Sequence, residues 1–191
     1  NVAIGRFSMG VNTTGTRNVA IGPFALDANT NGNYGVAIGY GALSGNVSST
    51  LNTAVGYQAM LSNISGDTTT AIGANALDAN TTGGDNTCVG YNSLGDNTTG
   101  SSNVAVGKNS MLKNTTASNN TAVGKDSLFT NTTGHSCVAV GSQALYRHET
   151  GDNNTAVGYQ AGAYITTGAG NVCVGDYAGF AVTTSDRGIF I

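Results

Sequence analysis

The chain has 191 residues, of which 9% are charged, with 29 glycines, one proline, no tryptophan and a net charge of −3. It contains no run of lysine or arginine, so nucleic-acid binding has no electrostatic basis, and no apolar stretch approaches the ~20 residues needed to cross a bilayer. Because Asn1 stands within a motif rather than at an initiating methionine, we expect a fragment or a processed product of a longer protein.

A 17-residue repeat runs through the chain without an insertion or a deletion. Eleven repeats fill residues 1–187, and residues 188–191 begin a twelfth. We call each repeat a coil and number its positions from Asn1 as columns one to seventeen. Column five is glycine in every coil, at Gly5, Gly22, Gly39, Gly56, Gly73, Gly90, Gly107, Gly124, Gly141, Gly158 and Gly175. So strict a period predicts one repeat domain over residues 1–191, in which all coils occupy equivalent places.

The residue types within a coil predict an all-β fold, a parallel β-solenoid. Columns one to four have the pattern of a short strand, and glycine at column five permits a turn with positive φ. Columns seven to ten indicate a second strand, and the Asn-Thr-Thr-Gly segment at columns twelve to fifteen is typical of a turn. Coils stacked ~4.8 Å apart would form a rod roughly 50 Å long, in which the column-twelve asparagines form a ladder.

Both faces of the first predicted strand are apolar. Columns two and four hold valine, isoleucine or threonine, and column three between them holds alanine or cysteine. We predict that Val55, Val123, Val157, Leu77 and Leu128 are buried. Because one thin coil has one interior, a second copy is the simplest cover for the other face, and small residues at columns three and eight would allow close approach. This pattern predicts a homo-oligomer, a trimer around a shared axis; a monomeric solenoid with a tightly packed interior is the alternative.

Several coils share a motif with known surface proteins. Asn52–Ala59 and Asn154–Ala161 read Asn-Thr-Ala-Val-Gly-Tyr-Gln-Ala, and residues 1–5 and 18–22 read Asn-Val-Ala-Ile-Gly. These segments resemble the head repeats of YadA-type trimeric autotransporter adhesins and the related Asn-Thr-Ala-Val-Gly repeats of viral and phage tail-fibre proteins. The resemblance implies a left-handed β-roll, a homotrimer and a role in surface attachment. The coil is longer than the usual adhesin head repeat, which favours a viral or other surface fibre.

The reactive side chains are too scattered to predict chemistry. Cys88, Cys137 and Cys173 lie two or more coils apart, beyond the ~7 Å between Cα atoms that a disulfide allows, so we predict free, small, buried residues. His135 and His148 occupy different columns and are predicted to be exposed turn residues. The carboxylates form no convergent pair and no repeated calcium motif. We therefore predict no enzymatic activity, no metal and no cofactor.

Asparagine sequons recur along the chain and leave two interpretations open. They either reflect turn chemistry alone or would carry a row of glycans in a glycosylating host. The column-twelve sequons begin at Asn12, Asn46, Asn63, Asn80, Asn97, Asn114 and Asn131, and two further ones begin at Asn119 and Asn153.

The repeat predicts a structural or adhesive role. The leading hypothesis is a segment of an extracellular, cell-surface or virion fibre that holds distance and presents a surface to a receptor or glycan. A self-assembling filament is the second hypothesis, and an ice-binding solenoid with threonine arrays at columns thirteen and fourteen is the third. Column twelve changes to His148, Ile165 and Val182 in the last coils, which predicts a change of surroundings near the C-terminus.

Overall fold

The computed structural model describes residues 1–191, and it is a parallel β-solenoid. One strand per coil joins a single sheet in chain order, each strand paired in parallel with the next at a step of seventeen residues. The strands are β1 (Val2–Ile4), β2 (Val19–Ile21), β3 (Val36–Ile38), β4 (Thr53–Val55), β5 (Thr70–Ile72), β6 (Thr87–Val89), β7 (Val104–Val106), β8 (Thr121–Val123), β9 (Val138–Val140), β10 (Thr155–Val157), β11 (Val172–Val174) and β12 (Ile189–Phe190). The predicted repeat architecture is confirmed. No helix capable of spanning a bilayer is present.

The second strand predicted at columns seven to ten is wrong, because this segment forms turns. Columns seven and nine adopt left-handed backbone angles even where they are not glycine, as at Gln58 (φ 53°) and Met60 (φ 53°). Alternating left- and right-handed residues curl the chain instead of extending it. The curl is still bonded to its neighbour, since the Met60 amide donates to the Ala76 carbonyl at 2.9 Å.

The column-five glycines turn the chain out of each strand with φ between 128° and 142°. This backbone region strongly favours glycine. Space imposes the same requirement: a Cβ on Gly73 would lie 2.3 Å from the carbonyl oxygen of Gly90 in the next coil. The column is therefore glycine because of both its conformation and the close stacking of coils.

The apolar interior of the rod is built mainly from columns three, eight and nine. Leu77 and Leu128 are fully buried, as predicted, and so are the column-three alanines and cysteines from Ala20 onward. The predicted burial of Val55, Val123 and Val157 is wrong: Val55 is half-buried, and the other two are 36% and 38% exposed. Strand side chains alternate between two faces, and the narrow interior admits the alanine, so columns two and four point outward.

The three cysteines are free and buried, as predicted. Cys88 and Cys173 stand in the alanine column of the interior, and Cys137 stands at column one. Burial raises the pKa of all three thiols, far above the ordinary range for Cys88 and to about 11 for Cys137. These side chains therefore act as small apolar residues.

Candidate functional site

The most extended surface feature is the strand face, which we define as the outward side chains of columns two and four. All its positions from Val2 to Ile191 are valine, isoleucine or threonine, and none is charged. The side chains are exposed or half-buried in every coil, with Ile72 at 41% and Val174 at 42%. A regular sheet therefore presents an uncharged, largely apolar stripe along the whole rod.

Aromatic side chains at columns six and seven border the strand face at its N-terminal end. Phe7, Phe24, Tyr40 and Tyr57 lie on successive coils with ring centroids 5.5, 5.7 and 5.6 Å apart. At the other end, Tyr159 and Tyr177 form a similar contact at 5.3 Å. Such ring contacts add to the stacking of coils where they occur.

The column-twelve asparagines form the predicted ladder inside the rod. The Asn97 amide nitrogen donates to Asn80 Oδ1 at 2.9 Å, and Asn97 Oδ1 accepts from Asn114 at 2.8 Å. Each amide nitrogen also donates to the column-fifteen carbonyl of its own coil, as Asn97 does to Gly100 at 3.0 Å. Ser49 bridges the one step of the ladder between Asn46 and Asn63.

The ladder leaves no room for glycans on these side chains. Asn46, Asn63, Asn80, Asn97, Asn114 and Asn131 are at most 1% exposed, and Asn12 is half-buried with its amide nitrogen bonded to Gly15. A glycan needs the amide nitrogen that here donates to neighbouring oxygens. Turn chemistry and internal hydrogen bonding account for these sequons in the folded chain. Only Asn119 and Asn153 are exposed sequon asparagines.

A second internal series uses the column-one asparagines. Asn103 Oδ1 accepts from the backbone amide of Asn120 in the next coil at 3.0 Å, while its amide nitrogen donates to the Ala117 carbonyl at 3.0 Å. The same two bonds are made by Asn18, Asn52, Asn86, Asn120, Asn154 and Asn171. The backbone amide that donates to the side-chain oxygen always belongs to column one of the next coil, whichever residue stands there. These side chains satisfy buried backbone groups where the chain enters each strand.

A third series at column sixteen was not predicted. Its side chains accept a hydrogen bond from the backbone amide at column sixteen of the preceding coil, as Asp67 does from Thr50 at 2.6 Å and Asp186 from Ala169 at 2.8 Å. His135 takes the same role through Nδ1, which accepts from Ser118 at 3.0 Å. The residue types at column sixteen differ from coil to coil. Their shared ability to accept a hydrogen bond is the only sequence signal that could have predicted this series.

The prediction that both histidines are exposed is correct for His135 and wrong for His148. His148 replaces asparagine at column twelve and lies fully buried at the end of the asparagine ladder. Its Nδ1 lies 3.0 Å from Asn131 Oδ1, and its Nε2 lies 3.0 Å from the Asn154 amide nitrogen. Burial lowers the pKa of His148 to about 4, so the ring is neutral at physiological pH.

The threonines at column thirteen do not form a free hydroxyl array. Their hydroxyls donate to carbonyl oxygens of the next coil, as Thr81 does to Thr98 at 2.9 Å and Thr98 to Thr115 at 3.0 Å. Column fourteen is exposed, but it carries Asn31, Ser48 and Ser65 among its threonines. The surface that the ice-binding hypothesis assigned to these columns is therefore only partly regular.

No cluster of three or more histidine, cysteine or acidic side chains is arranged to hold a metal ion. The one surface depression lies between coils nine and eleven and is lined by Asn153, Ala169, Gly170, Asp186 and Arg187. Its lining holds a single carboxylate, that of Asp186, and no thiol or hydroxyl group. The geometry thus assigns no reaction to this depression.

Comparisons with known proteins add no relative. No protein-family model, no curated protein and no solved structure matches the chain. The resemblance to adhesin and tail-fibre repeats therefore rests on the sequence motif and its register.

Proposed function

We propose that this chain is a structural segment of an extracellular, cell-surface or virion fibre, and that it works as a parallel, in-register homotrimer. The observation that carries the proposal is the strand face. A monomer would leave an uncharged stripe of valine, isoleucine and threonine in water along roughly 50 Å of rod. Contiguous apolar surface on that scale is rare on soluble monomers and marks a site of association.

The regularity of the strand face supports a parallel arrangement around a shared axis. Every coil presents the same residue types at the same height, so copies in register would place like coils against one another. Cyclic symmetry closes such an assembly without leaving a free strand face. The sequence resemblance implies the same homotrimer, with left-handed coils.

The internal bonding supports a mechanical role. Successive coils are tied together by strand pairing, and most of them also by the asparagine ladder or by the column-one and column-sixteen acceptors. A rod built this way holds a fixed distance and has few segments that can open independently. In a fibre, the surfaces away from the strand face would be presented to a cell-surface receptor or a glycan.

The proposed location is outside the cell or on the virion. Antibody labelling of intact cells or particles that carry the chain would test it.

The assembly is tested by analytical ultracentrifugation of the full chain and of two variants, Val106→Asp and Val123→Asp. Both side chains point outward, so each variant should keep the circular dichroism of the parent. A charge on the strand face should be strongly unfavourable once that face is covered. We expect a trimer for the parent and monomers for the variants. Thr99→Asp, an exposed position at column fourteen, is the matched control and should remain trimeric.

Other outcomes would replace the proposal with a named alternative. A stable monomeric parent at micromolar concentration would contradict the trimer, and a thermal-hysteresis measurement would then test ice binding by the strand face. Species that lengthen with concentration would support a self-assembling filament. Variants that dissociate only when they also lose their β-sheet signal would show that columns two and four stabilise the coil rather than an interface.

A further inference from the structure

Both histidines of the chain lie on neighbouring coils, and both occupy positions that accept hydrogen bonds. His135 is at column sixteen of coil eight, and His148 is at column twelve of coil nine. Elsewhere column twelve carries asparagine through Asn131, whose amide does not titrate between neutral and mildly acidic pH. His148 is therefore the one place along the column-twelve ladder where a proton can change an acceptor into a donor.

The partners of His148 fix which ring nitrogen carries the hydrogen. Asn131 donates its amide nitrogen to the Gly134 carbonyl at 2.9 Å, and its Oδ1 accepts from the Gly134 amide at 3.0 Å. That orientation turns Oδ1 towards His148 Nδ1 at 3.0 Å. Since Oδ1 can only accept, His148 Nδ1 must carry the hydrogen.

The other side of the ring faces a donor that cannot turn away. The Asn154 amide nitrogen donates to the Gly168 carbonyl at 2.7 Å, and Asn154 Oδ1 accepts from the Asn171 amide at 2.9 Å. An amide flip would break both bonds. The amide nitrogen therefore faces His148 Nε2, which must be unprotonated to accept. A proton on Nε2 would set two donors against each other.

The surroundings of His148 offer no compensating charge. Cys137 Sγ lies 3.9 Å from Nε2 and is already bonded to the Gly151 carbonyl at 3.3 Å. Burial lowers the His148 pKa and outweighs the two groups that favour the charged ring, the Gly151 backbone and Asp152, whose Oδ1 already accepts from the His135 amide at 2.7 Å. Glu149 and Arg147 are exposed on the outside of the coil, and column twelve of the next coil is Ile165.

We propose that the junction between coils nine and ten is an acid-sensitive release point, at which protonation of His148 detaches residues 154–191 from a rod that stays folded over residues 18–119. The hydrogen bond lost first is the one that the Asn154 amide nitrogen donates to His148 Nε2, which joins coil ten to coil nine. The device would let a fibre segment respond to an acidic compartment.

The direction of the effect follows from the difference between the folded and open states. When the coil opens, His148 returns to its ordinary pKa of 6.5, whereas in the closed coil it is held at about 4. Between these values the open state binds the proton and the closed state does not, so stability falls as the pH falls. We expect local opening to increase on the order of 10²-fold across this range.

The test is hydrogen exchange with mass spectrometry on the full chain, near neutral pH and at about pH 4.5, with rates corrected for the intrinsic effect of pH. We expect protection of residues 154–191 to fall on the order of 10²-fold more than that of residues 18–119. His148→Asn restores the residue that column twelve carries in other coils and should remove the difference.

Two results would overturn the proposal. One is an acid-induced loss of protection spread evenly along the rod of the parent chain, a measurement that needs no variant. The other is a His148→Asn variant that keeps the full acid-induced difference between the two segments. Either would assign acid sensitivity to the surface carboxylates rather than to this junction.

Discussion

Phe190 packs over Gly179, and a Cβ on that glycine would lie 3.2 Å from the Phe190 ring. Coils one to nine carry leucine or methionine at the column of Gly179, and coils one to eleven carry alanine or cysteine at the column of Phe190. At this end of the rod the large side chain that fills the interior therefore stands at column three instead of column nine. Coil ten makes a related exchange, since Ile165 fills the space beside Gly162.

This exchange predicts a compensating pair of substitutions. Gly179→Leu alone should destabilise the chain by about 2 kcal/mol, because the leucine overpacks the space between Cys173 Sγ, 2.7 Å from the added Cβ, and the Phe190 ring. Adding Phe190→Ala should recover most of the loss, because it frees the space on the other side, and coil six buries the same pair of a cysteine and a leucine at Cys88 and Leu94. Denaturant unfolding of both single variants and the double variant measures the coupling. Additive effects would show that the two residues do not share the space.

A substitution at column five should be far more damaging than one at column seven. Gly73→Ala puts a Cβ at φ 139°, 2.3 Å from the next coil's carbonyl oxygen, and should cost about 3 kcal/mol or more. The control is Gly41→Asn, since Asn75, Asn92 and Asn109 adopt φ between 52° and 54° at the same column. It should change stability by less than about 1 kcal/mol. Equal losses in chemical denaturation would contradict the steric explanation.

A single asparagine of the ladder should make a measurable contribution to the free energy of unfolding. Asn97→Ala removes the partner of Asn80, Asn114 and the Gly100 carbonyl, all buried, and should cost about 3 kcal/mol. Thr99→Ala, two residues away on the exposed column fourteen, should stay within about 0.5 kcal/mol of the parent. Thermal unfolding of both variants makes the comparison. If Asn97→Ala lost no more stability than Thr99→Ala, water would have to replace the hydrogen bonds of the Asn97 side chain.

The cysteines should be unreactive while the rod is folded. Cys88, Cys137 and Cys173 are fully buried, and burial raises their pKa values, so few thiolates form at mildly alkaline pH. A disulfide reagent should label none of them in buffer and all three in denaturant. A Thr99→Cys variant provides an exposed thiol and should react at once. Comparable labelling rates for buried and exposed thiols would reveal frequent opening of the coils.

The sequence predicts the repeat, the glycine column and the ladder, because each depends on one residue type recurring at one spacing. It does not predict which face of the strand is inside, since Ala54 and Val55 are both apolar and alternation alone cannot choose between them. Side-chain volume decides, because the narrow coil admits the alanine. The left-handed angles at Gln58 and Met60 also had no signal, since neither residue type favours them.

The column-sixteen acceptors and the buried His148 were missed for a different reason. Asp67 and His135 share a role through one accepting atom, although their chemistry otherwise differs. His148 looks like a surface residue on its own, and its burial follows only from its place at the end of the asparagine ladder. In both cases the position of the residue within the repeat predicts its hydrogen bonds and its burial better than the residue type does.

The constant step of seventeen residues makes the length of the rod change in fixed increments. Deleting residues 86–102 would remove one coil, bring Asn80 against Asn114, and shorten the rod by ~4.8 Å with every column preserved. Inserting a single residue would instead shift the register of all following coils by one column relative to the preceding coils. At that point the column-three alanine would pair with a valine, and the asparagine ladder would be interrupted. Gain or loss of whole coils is therefore the one route by which such a chain can change its reach without rebuilding its interior.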